Sequence, residues 1–182
     1  MERIQDFLKP RYGSDQKTRQ GAFHPNNPDK YVGNLCQIYY RSGWEFEFYK
    51  WLDDSPNVVR WSSESVQVPY INPLDKKQHR YFIDVYMEVM MGGEKIKWLI
   101  EIKPHKYTVF PKQPKKKTPS AMKNYVIDYN KTLVNIAKFK AAKYYSEQLG
   151  ALFGVVSKDK KTNKFKLEEW SESAIKINEK RE

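Results

Sequence analysis

The sequence predicts an α/β fold in which a mixed β-sheet is flanked by helices. Two segments carry apolar residues at helical spacing, several others alternate between apolar and polar residues, and turn-forming residues separate them. The resulting order, α-β-β-β-α-β, is typical of secondary-structure layers packed around one core. A length of 182 residues and an apolar fraction of 40% fit a single domain with a sizeable core.

The chain divides into a core with a segment on either side. Residues 1–38 are rich in polar residues, Gly and Pro, and we expect a mostly irregular extension with a short helix at its start. Residues 39–158 contain the patterned segments and form the predicted core. Residues 159–182 are predicted to be a charged tail with room for one short helix.

The first core helix is predicted to begin near Ser42 and to end before Pro56. Ser42 and Glu45 form the S-x-x-E pattern of a capping box, in which the two side chains satisfy free backbone N–H groups. The helix should stop before Pro56, because proline disfavours helical geometry in the residue that precedes it. The apolar face follows at helical spacing and consists of Trp44, Phe48, Trp51 and Leu52.

Strand signals follow this helix. Residues 58–71 read as one bent strand or two short ones, and Pro69 favours an edge position there. Residues 80–90 and 96–103 both alternate between apolar and polar side chains, and the Gly92-Gly93 pair between them is a hairpin turn signal. We therefore expect two long antiparallel strands joined at these glycines.

A second helix and a buried strand complete the predicted core. Residues 121–149 lack Pro and Gly, and Gly150 is a natural helix C-cap. Residues 151–156 form a short apolar run that is typical of a buried strand. The predicted apolar stripe of the helix consists of Val126, Tyr129, Leu133, Ile136, Ala137, Ala141 and Tyr144.

The predicted hairpin brings two acidic residues together. A turn centred on Gly92-Gly93 places Asp84 opposite Glu101, with about 4.5–5.5 Å between their Cβ atoms. Two like charges at this spacing repel each other, and a bridging divalent cation such as Mg2+, which prefers oxygen ligands, would turn that repulsion into binding. Lys103 lies two residues beyond Glu101 and therefore on the same face.

This trio suits the hydrolysis of phosphodiester bonds. A metal ion there would bind a phosphate oxygen and lower the pKa of a coordinated water. A lysine would position that water, help to deprotonate it or neutralise charge that develops on the phosphorus. The structural alternative is an exposed strand face on which Asp84 and Glu101 meet solvent and Glu101 pairs with a lysine.

The basic charge points to a polyanionic partner such as nucleic acid. The formal net charge is +11, and residues 103–143 contain eleven lysines but a single acidic residue, Asp128. Residues 110–120 include three prolines and should form an extended loop. The alternative is a solvated surface. The residues expected to contact DNA phosphates are Lys106, Lys112, Lys115, Lys116, Lys117, Lys123 and Lys138.

The acidic pair and the lysine resemble the signature of the PD-(D/E)xK nuclease superfamily. The motif here is Asp84, followed after sixteen residues by Glu101-Ile102-Lys103, and Ile83 replaces the usual proline. The resemblance implies a restriction-endonuclease-like αβββαβ core, in which Asp84 and Glu101 bind Mg2+ and Lys103 is catalytic. It also implies a further glutamate from the first helix as a metal or water ligand. We prefer Glu45, and Glu47 is the competing choice.

A closer resemblance covers most of the chain. It includes the segments FHPNNPDKYVG, YRSGWEFEFYKWLD, NVVRWSSE and LIEIKP, which are similar to those of the head completion nucleases of T-even-type tailed phages. This implies a Mg2+-dependent DNA endonuclease, with Mn2+ able to substitute, that acts on packaged DNA during head completion. Capsid, portal or neck proteins are the implied partners, and the host cytoplasm or a minor virion component is the implied location.

The sequence is also compatible with other classes of function. One is a basic head-joining protein that binds DNA without cutting it, and another is a transposon-end or junction-resolving endonuclease, whose subunits show a similar arrangement over less of the chain. RNA binding is a weaker third alternative. Glu64 is a candidate for a fourth acidic ligand or for orienting the metal ligands without contacting the metal. Asn135 is a candidate for the same orienting role or, with Lys138 on the same helix face, for a contact with the scissile phosphate.

Several classes are disfavoured. The single cysteine, Cys36, excludes an internal disulfide framework and makes the reducing cytosol the default compartment. We expect neither a signal peptide nor a membrane span, because an apolar run of 18 residues is absent. Nothing in the sequence indicates a homo-oligomer.

Overall fold

The computed structural model describes residues 20–159 and 162–173. The predicted short helix at the start of the chain lies outside these residues. The two helices are α1 (Gly43–Asp54) and α2 (Pro119–Gln148). The strands are β1 (Gly21–Ala22), β2 (Tyr39–Tyr40), β3 (Val58–Ser63), β4 (Gln67–Ile71), β5 (Gln78–Phe82), β6 (Val85–Met91), β7 (Glu94–Ile102), β8 (Leu152–Lys158) and β9 (Phe165–Glu169).

A five-stranded mixed sheet with the order β3-β6-β7-β8-β9 separates the two helices. β8 runs parallel to β7, and the other neighbours in this sheet are antiparallel. One face packs against Phe48 and Leu52 of α1, and the other packs against Phe139 of α2. In chain order α1, β3, β6, β7, α2 and β8 confirm the predicted αβββαβ arrangement.

The boundaries of α1 agree with the capping-box prediction. The Ser42 side chain accepts a hydrogen bond from the backbone N–H of Glu45, and the helix ends one residue before Ser55-Pro56. This cap fixes the first turn of the helix. The turn-rich segment before α1 is also attached to it, because the buried Asp53 carboxylate accepts the backbone N–H groups of Asn26 and Asn27 at 2.7 and 3.1 Å.

The prediction of one continuous strand over residues 80–90 is wrong. The chain leaves β5 at Ile83 and Asp84 and begins β6 at Val85. β5 pairs only with β4, in a two-stranded ribbon, whereas β6 pairs with β3 and β7 in the central sheet. Asp84 therefore lies at the fork between two sheets. Residues 58–71 accordingly form two strands, and Pro69 lies on the ribbon edge, as the pattern suggested.

The hairpin register is as predicted. Val89 faces Ile96 and Val85 faces Ile100 across the β6–β7 pair, so the next positions outward are Asp84 and Glu101. The second face of β7, expected to be largely polar, is buried at its end, because α2 covers Leu99 and Glu101. This burial sets the electrostatics of the acidic pair.

The predicted apolar stripe of α2 is confirmed at Ile136, Ala137 and Ala141, which are buried or pack against the core, but it is wrong at its two ends. Val126, Tyr129 and Tyr144 are 50%, 38% and 68% exposed. The helix begins at Pro119, two residues earlier than predicted, since proline is tolerated in the first helical position. The sheet covers only the second half of the helix, and the buried residues are Thr132, Asn135, Ile136, Phe139, Ala142 and Ser146.

The segment predicted as a charged tail contains the fifth strand of the sheet. β9 pairs antiparallel with β8, and its Phe165 and Leu167 lie in the core. The alternation of Phe165 and Leu167 with Lys166 and Glu168 was a strand signal, but the high local charge concealed it. Among the residues that the structure describes, no helix is long and apolar enough to cross a membrane.

Candidate active site

The three residues of the predicted trio come together at one end of the β6–β7 pair. The backbone N–H of Ile102, between Glu101 and Lys103, donates a hydrogen bond of 2.7 Å to Asp84 Oδ2. Lys103 Nζ pairs with Glu101 Oε1. The Glu101 side chain is 2% exposed and that of Lys103 is 26% exposed, so the ammonium group borders solvent while the carboxylate is buried.

Asp84 is in an environment that disfavours its charge. Burial and the neighbouring Glu101 raise the pKa of the Asp84 carboxyl well above its usual range, and Lys103 and the Ile102 N–H offset this only in part. Glu88 of β6 is a buried carboxylate in a different electrostatic environment. That carboxylate is also buried, yet Arg60 and Lys95 lie 3.9 and 3.2 Å from it, and its pKa is lowered.

Lys103 pairs directly with Glu101, whereas the Asp84 carboxylate accepts only the backbone N–H of Ile102 among the residues that the structure describes. Two neighbouring carboxylates that supply oxygen donors fit a hard divalent cation. Across residues 20–159 and 162–173, His, Cys, Asp and Glu side chains nowhere form a group of three or more suited to a metal ion. Two carboxylates are still sufficient for Mg2+, which commonly retains several water ligands.

The structure adds a residue that sequence reasoning missed. Tyr81 of β5 is buried, and its hydroxyl donates a hydrogen bond of 2.6 Å to Glu101 Oε2. Burial and the adjacent Glu101 raise the pKa of Tyr81 well above its usual value, so the hydroxyl keeps its proton and remains a donor. Lys103 and Tyr81 together hold both oxygens of Glu101. The available signal was a tyrosine on an apolar strand face, since a buried tyrosine hydroxyl usually requires a partner.

Tyr81→Phe is expected to slow DNA cleavage about tenfold and to lower the free energy of unfolding by about 1–3 kcal/mol, because it leaves one oxygen of a buried carboxylate without a donor. Urea unfolding and the Mg2+ dependence of the cleavage rate would measure the two effects. The matched control is Tyr86→Phe, which removes a 2.7 Å hydrogen bond to Glu88 in the same sheet. If both variants cut DNA at the parent rate, Tyr81 has no influence on the site.

Lys138 also lies beside the carboxylates. Its Nζ is 5.3 Å from the centre of the Tyr81 ring and 5.8 Å from that of Tyr70. Burial and the nearby Lys103 lower the pKa of Lys138, while Glu101 and Asp84 act in the opposite direction. Of the predicted phosphate-contacting lysines, this one is therefore positioned by α2 next to the trio.

A cleft of about 580 Å3 opens next to Lys103. Asn135 anchors one wall, because its side-chain amide donates a hydrogen bond of 2.9 Å to the backbone carbonyl of Tyr107 in the short 3-10 helix His105–Tyr107. The other lining residues come from the tip of the β4–β5 ribbon and from α2. They are Leu74, Ile127, Asn130, Lys131 and Val134.

The helix glutamates differ in their contacts. Glu45 accepts the backbone N–H of Arg41 at 2.7 Å and the Ser42 hydroxyl at 2.8 Å, and its charge contributes to the raised pKa of Asp84. Glu47 instead forms an ion pair of 2.6 Å with Lys158. Glu45 is thus the nearer influence on the trio, although its carboxylate is held in the helix cap.

Glu64 contacts Asp84 through its backbone. Its N–H donates a hydrogen bond of 3.2 Å to the carbonyl of Asp84, and its φ of 48° is unusual for a residue other than glycine. The Glu64 carboxylate accepts two hydrogen bonds, of 3.0 and 3.1 Å, from the guanidinium of Arg41. Glu64 therefore shapes the fork at which Asp84 lies. The remaining lysines predicted to bind DNA are exposed, namely Lys106, Lys112, Lys115, Lys116, Lys117 and Lys123.

A family model described as the N-terminal domain of TnsA-like endonucleases matches residues 55–158. The chain belongs to this family. The match extends from the start of β3 to the end of β8 and includes Asp84, Glu101 and Lys103. A TnsA-like endonuclease domain fits the restriction-endonuclease-like fold, and the mixed sheet between two helices agrees with it.

A curated relative is similar to this chain over more residues than the family model covers. The head completion nuclease of Enterobacteria phage T4 is 37% identical over 139 residues, which cover 76% of this chain and 91% of the relative. No solved structure matches the chain. The two matches confirm the predicted nuclease family and support a nuclease role.

Proposed function

We propose that this TnsA-like endonuclease is a Mg2+-dependent DNA endonuclease of the PD-(D/E)xK type. The observation that carries the proposal is the pair of carboxylates, Asp84 and Glu101, next to Lys103, which lines a cleft. The raised pKa of Asp84, caused by burial and by Glu101, supports the proposal. A divalent cation bound there would favour the charged form of both carboxylates.

Asp84 and Glu101 would hold the metal ion, and Glu45 is the candidate for a further ligand. A Mg2+ ion held by these residues would supply Lewis-acid chemistry, which would lower the pKa of a coordinated water and polarise a phosphate oxygen. Mn2+ has similar ligand preferences and is expected to substitute. Each oxygen of the Glu45 carboxylate already accepts one hydrogen bond, from the Arg41 N–H or the Ser42 hydroxyl, and keeps a further lone pair for a ligand.

Lys103 is best suited to an electrostatic role. Burial alone would lower the pKa of its ammonium group, but Glu101 and Asp84 outweigh burial and raise it. The side chain therefore stays protonated near neutral pH, which favours stabilisation of the negative charge on the phosphate over removal of a proton from water. Its position at the cleft wall brings that charge to an entering DNA strand.

The biological role we propose is the cleavage of packaged phage DNA during head completion, before heads join tails. The support is the name of the T4 relative and its 91% coverage by this chain. Capsid, portal or neck proteins are the proposed partners, with action in the host cytoplasm and retention as a minor virion component. The family match supports a second candidate, cleavage of transposon ends or DNA junctions.

A plasmid-cleavage assay tests the proposed activity. Purified protein is expected to convert supercoiled plasmid to nicked and linear forms with Mg2+ or Mn2+, but not with EDTA, because the two carboxylates need the cation to act on a phosphodiester. Linear, branched and transposon-end DNA in the same assay separate the phage role from the recombination role. A protein that binds all these DNAs but cuts none with either metal would instead be a DNA-binding head-joining protein.

A further inference from the structure

The first half of α2 extends past the sheet. Within the helix, buried residues begin only at Thr132, so the residues from Pro119 to Lys131 contribute nothing to the core. This half nevertheless exposes large apolar side chains, with Val126 at 50% and Ile127 at 41% exposure. Core packing does not explain them, and exposed apolar surface of this kind often marks a binding site.

Aromatic rings form a row along this part of the molecule. We call it the aromatic ridge and define it as Tyr107, Phe110, Tyr125 and Tyr129. The Phe110 and Tyr129 ring centres are 4.9 Å apart, and those of Tyr125 and Tyr129 are 6.0 Å apart. All four side chains are at least partly exposed to solvent. A ligand in solvent can therefore contact all four side chains.

The ridge is held in place by hydrogen bonds from α2. Asn135 donates to the carbonyl of Tyr107 at 2.9 Å, and the Thr132 hydroxyl donates to the carbonyl of Val109 at 3.3 Å. These two bonds fix the chain between β7 and α2 onto the helix at the level of Tyr107 and Phe110. A surface that is ordered in advance loses less entropy when a ligand binds.

Lysines lie at the Tyr107 end of the ridge. Lys106 Nζ lies 4.4 Å and Lys131 Nζ 5.8 Å from the centre of the Tyr107 ring. The exposed residues Lys115, Lys116 and Lys117 precede the start of α2 in the sequence. Cations next to aromatic rings complement a chain of phosphates and bases. The same pattern leads to the proposed catalytic residue, because Tyr107 and Lys131 line the cleft together with Lys103.

We infer that the aromatic ridge binds an unpaired DNA strand and guides it into the cleft at Lys103. This inference rests on the proposed function and narrows its substrate to DNA with an unpaired segment. In a duplex the faces of the bases are stacked on one another, so aromatic rings can stack only on bases that are unpaired. A cleft of about 580 Å3 has the size of a small-molecule pocket, which suits a few nucleotides of one strand better than a duplex.

Binding assays in EDTA test the ridge without cleavage. The probes are a fluorescein-labelled oligothymidine and a blunt duplex, each titrated with the full chain and followed by anisotropy at fixed salt. Tyr107→Leu and Tyr129→Leu keep an apolar side chain but lose the ring. Each is expected to weaken oligothymidine binding about tenfold and duplex binding by less than about twofold. Tyr129→Trp retains a stacking surface and should bind oligothymidine like the parent protein.

The matched control is Tyr144→Leu, which removes a 68% exposed tyrosine from the other half of α2 and should leave both affinities unchanged. Thermal unfolding of every variant excludes loss of folding as the cause. Equal weakening of both probes, or no weakening in either ridge variant, would overturn the inference. So would a parent dimer that Tyr129→Leu converts to a monomer in sedimentation, since the ridge would then contact a second copy.

These outcomes are separable from failure of the proposed function. A parent protein that binds oligothymidine through the ridge but cuts no DNA with Mg2+ would refute the nuclease proposal and leave the ridge intact. If the parent protein cleaves plasmid normally and the ridge variants bind oligothymidine as tightly as the parent does, only the inference about the ridge would be refuted.

Discussion

Asp84→Asn is expected to lower the rate of Mg2+-dependent DNA cleavage by about 10³-fold, roughly 4 kcal/mol of transition-state stabilisation. The substitution removes one of the two carboxylate charges at the site. It keeps the shape of the side chain and an oxygen that accepts the Ile102 N–H. The loss of rate therefore reports the missing charge, and Mg2+ should no longer raise the melting temperature of the variant.

The same substitution is expected to stabilise the metal-free protein at neutral pH. Burial and Glu101 raise the pKa of Asp84, so the folded chain binds this proton more tightly than the unfolded chain does. Folding stability then falls as the pH rises from about 4, the value for an unfolded chain, towards the raised pKa. Asparagine has no such penalty. At pH values above the raised pKa, we expect Asp84→Asn to increase the free energy of unfolding by about 0.5–2 kcal/mol.

Thermal unfolding in EDTA across this pH range measures the gain, at about 2–4 °C per kcal/mol for a chain of this size. Glu94→Gln removes an exposed negative charge from the start of β7 and is the matched control. Cleavage by Asp84→Asn at the parent rate would refute the site. A stability difference that did not vary with pH would refute the assigned cause.

Lys103→Met is expected to reduce the cleavage rate by about 10²–10⁴-fold. Methionine fills similar space but brings no charge to the phosphate. Binding of uncut DNA in EDTA should change little, because residues 103–143 contain ten other lysines. The variant also loses the cation that lowers the pKa of Asp84, so any remaining activity should require a higher pH than that of the parent.

The control for Lys103→Met is Lys97→Met, which removes an exposed lysine from β7, the strand that ends just before Lys103. Single-turnover cleavage and anisotropy on the same DNA separate chemistry from binding. Lys103→Arg, which restores the charge in a different shape, should recover part of the rate. If Lys103→Met instead lost binding and cleavage in equal proportion, Lys103 would act only as a DNA contact.

The parts of the site that follow from local rules were predictable from the sequence. A two-glycine turn and period-two alternation set the register that opposes Asp84 and Glu101, and a capping box sets the start of α1. These features depend on residues that are close in sequence. The same holds for the end of α2 at Gly150, whose φ of 61° is the left-handed conformation that glycine favours.

Features that depend on distant contacts were missed. Alternation continues through residues 80–90, but it does not reveal that the chain changes sheets at Asp84. The hydrogen bond of Tyr81 to Glu101 joins positions twenty residues apart. The buried face of α2 includes three polar residues, Thr132, Asn135 and Ser146, because their side chains form hydrogen bonds with backbone carbonyls. A stripe chosen by hydrophobicity alone did not include them.

The β4–β5 ribbon is separate from the central sheet, so its length can change during evolution without altering the pairing of the central strands. The ribbon pairs only with itself, and its tip, at Leu74, forms part of the cleft wall. A longer or shorter tip would alter what enters the cleft without shifting the register of β6 and β7. The base of the ribbon cannot change in the same way, because Tyr81 must stay within hydrogen-bonding distance of Glu101. A change at the tip would therefore alter access to the cleft, whereas a change at the base would alter the hydrogen bond to Glu101.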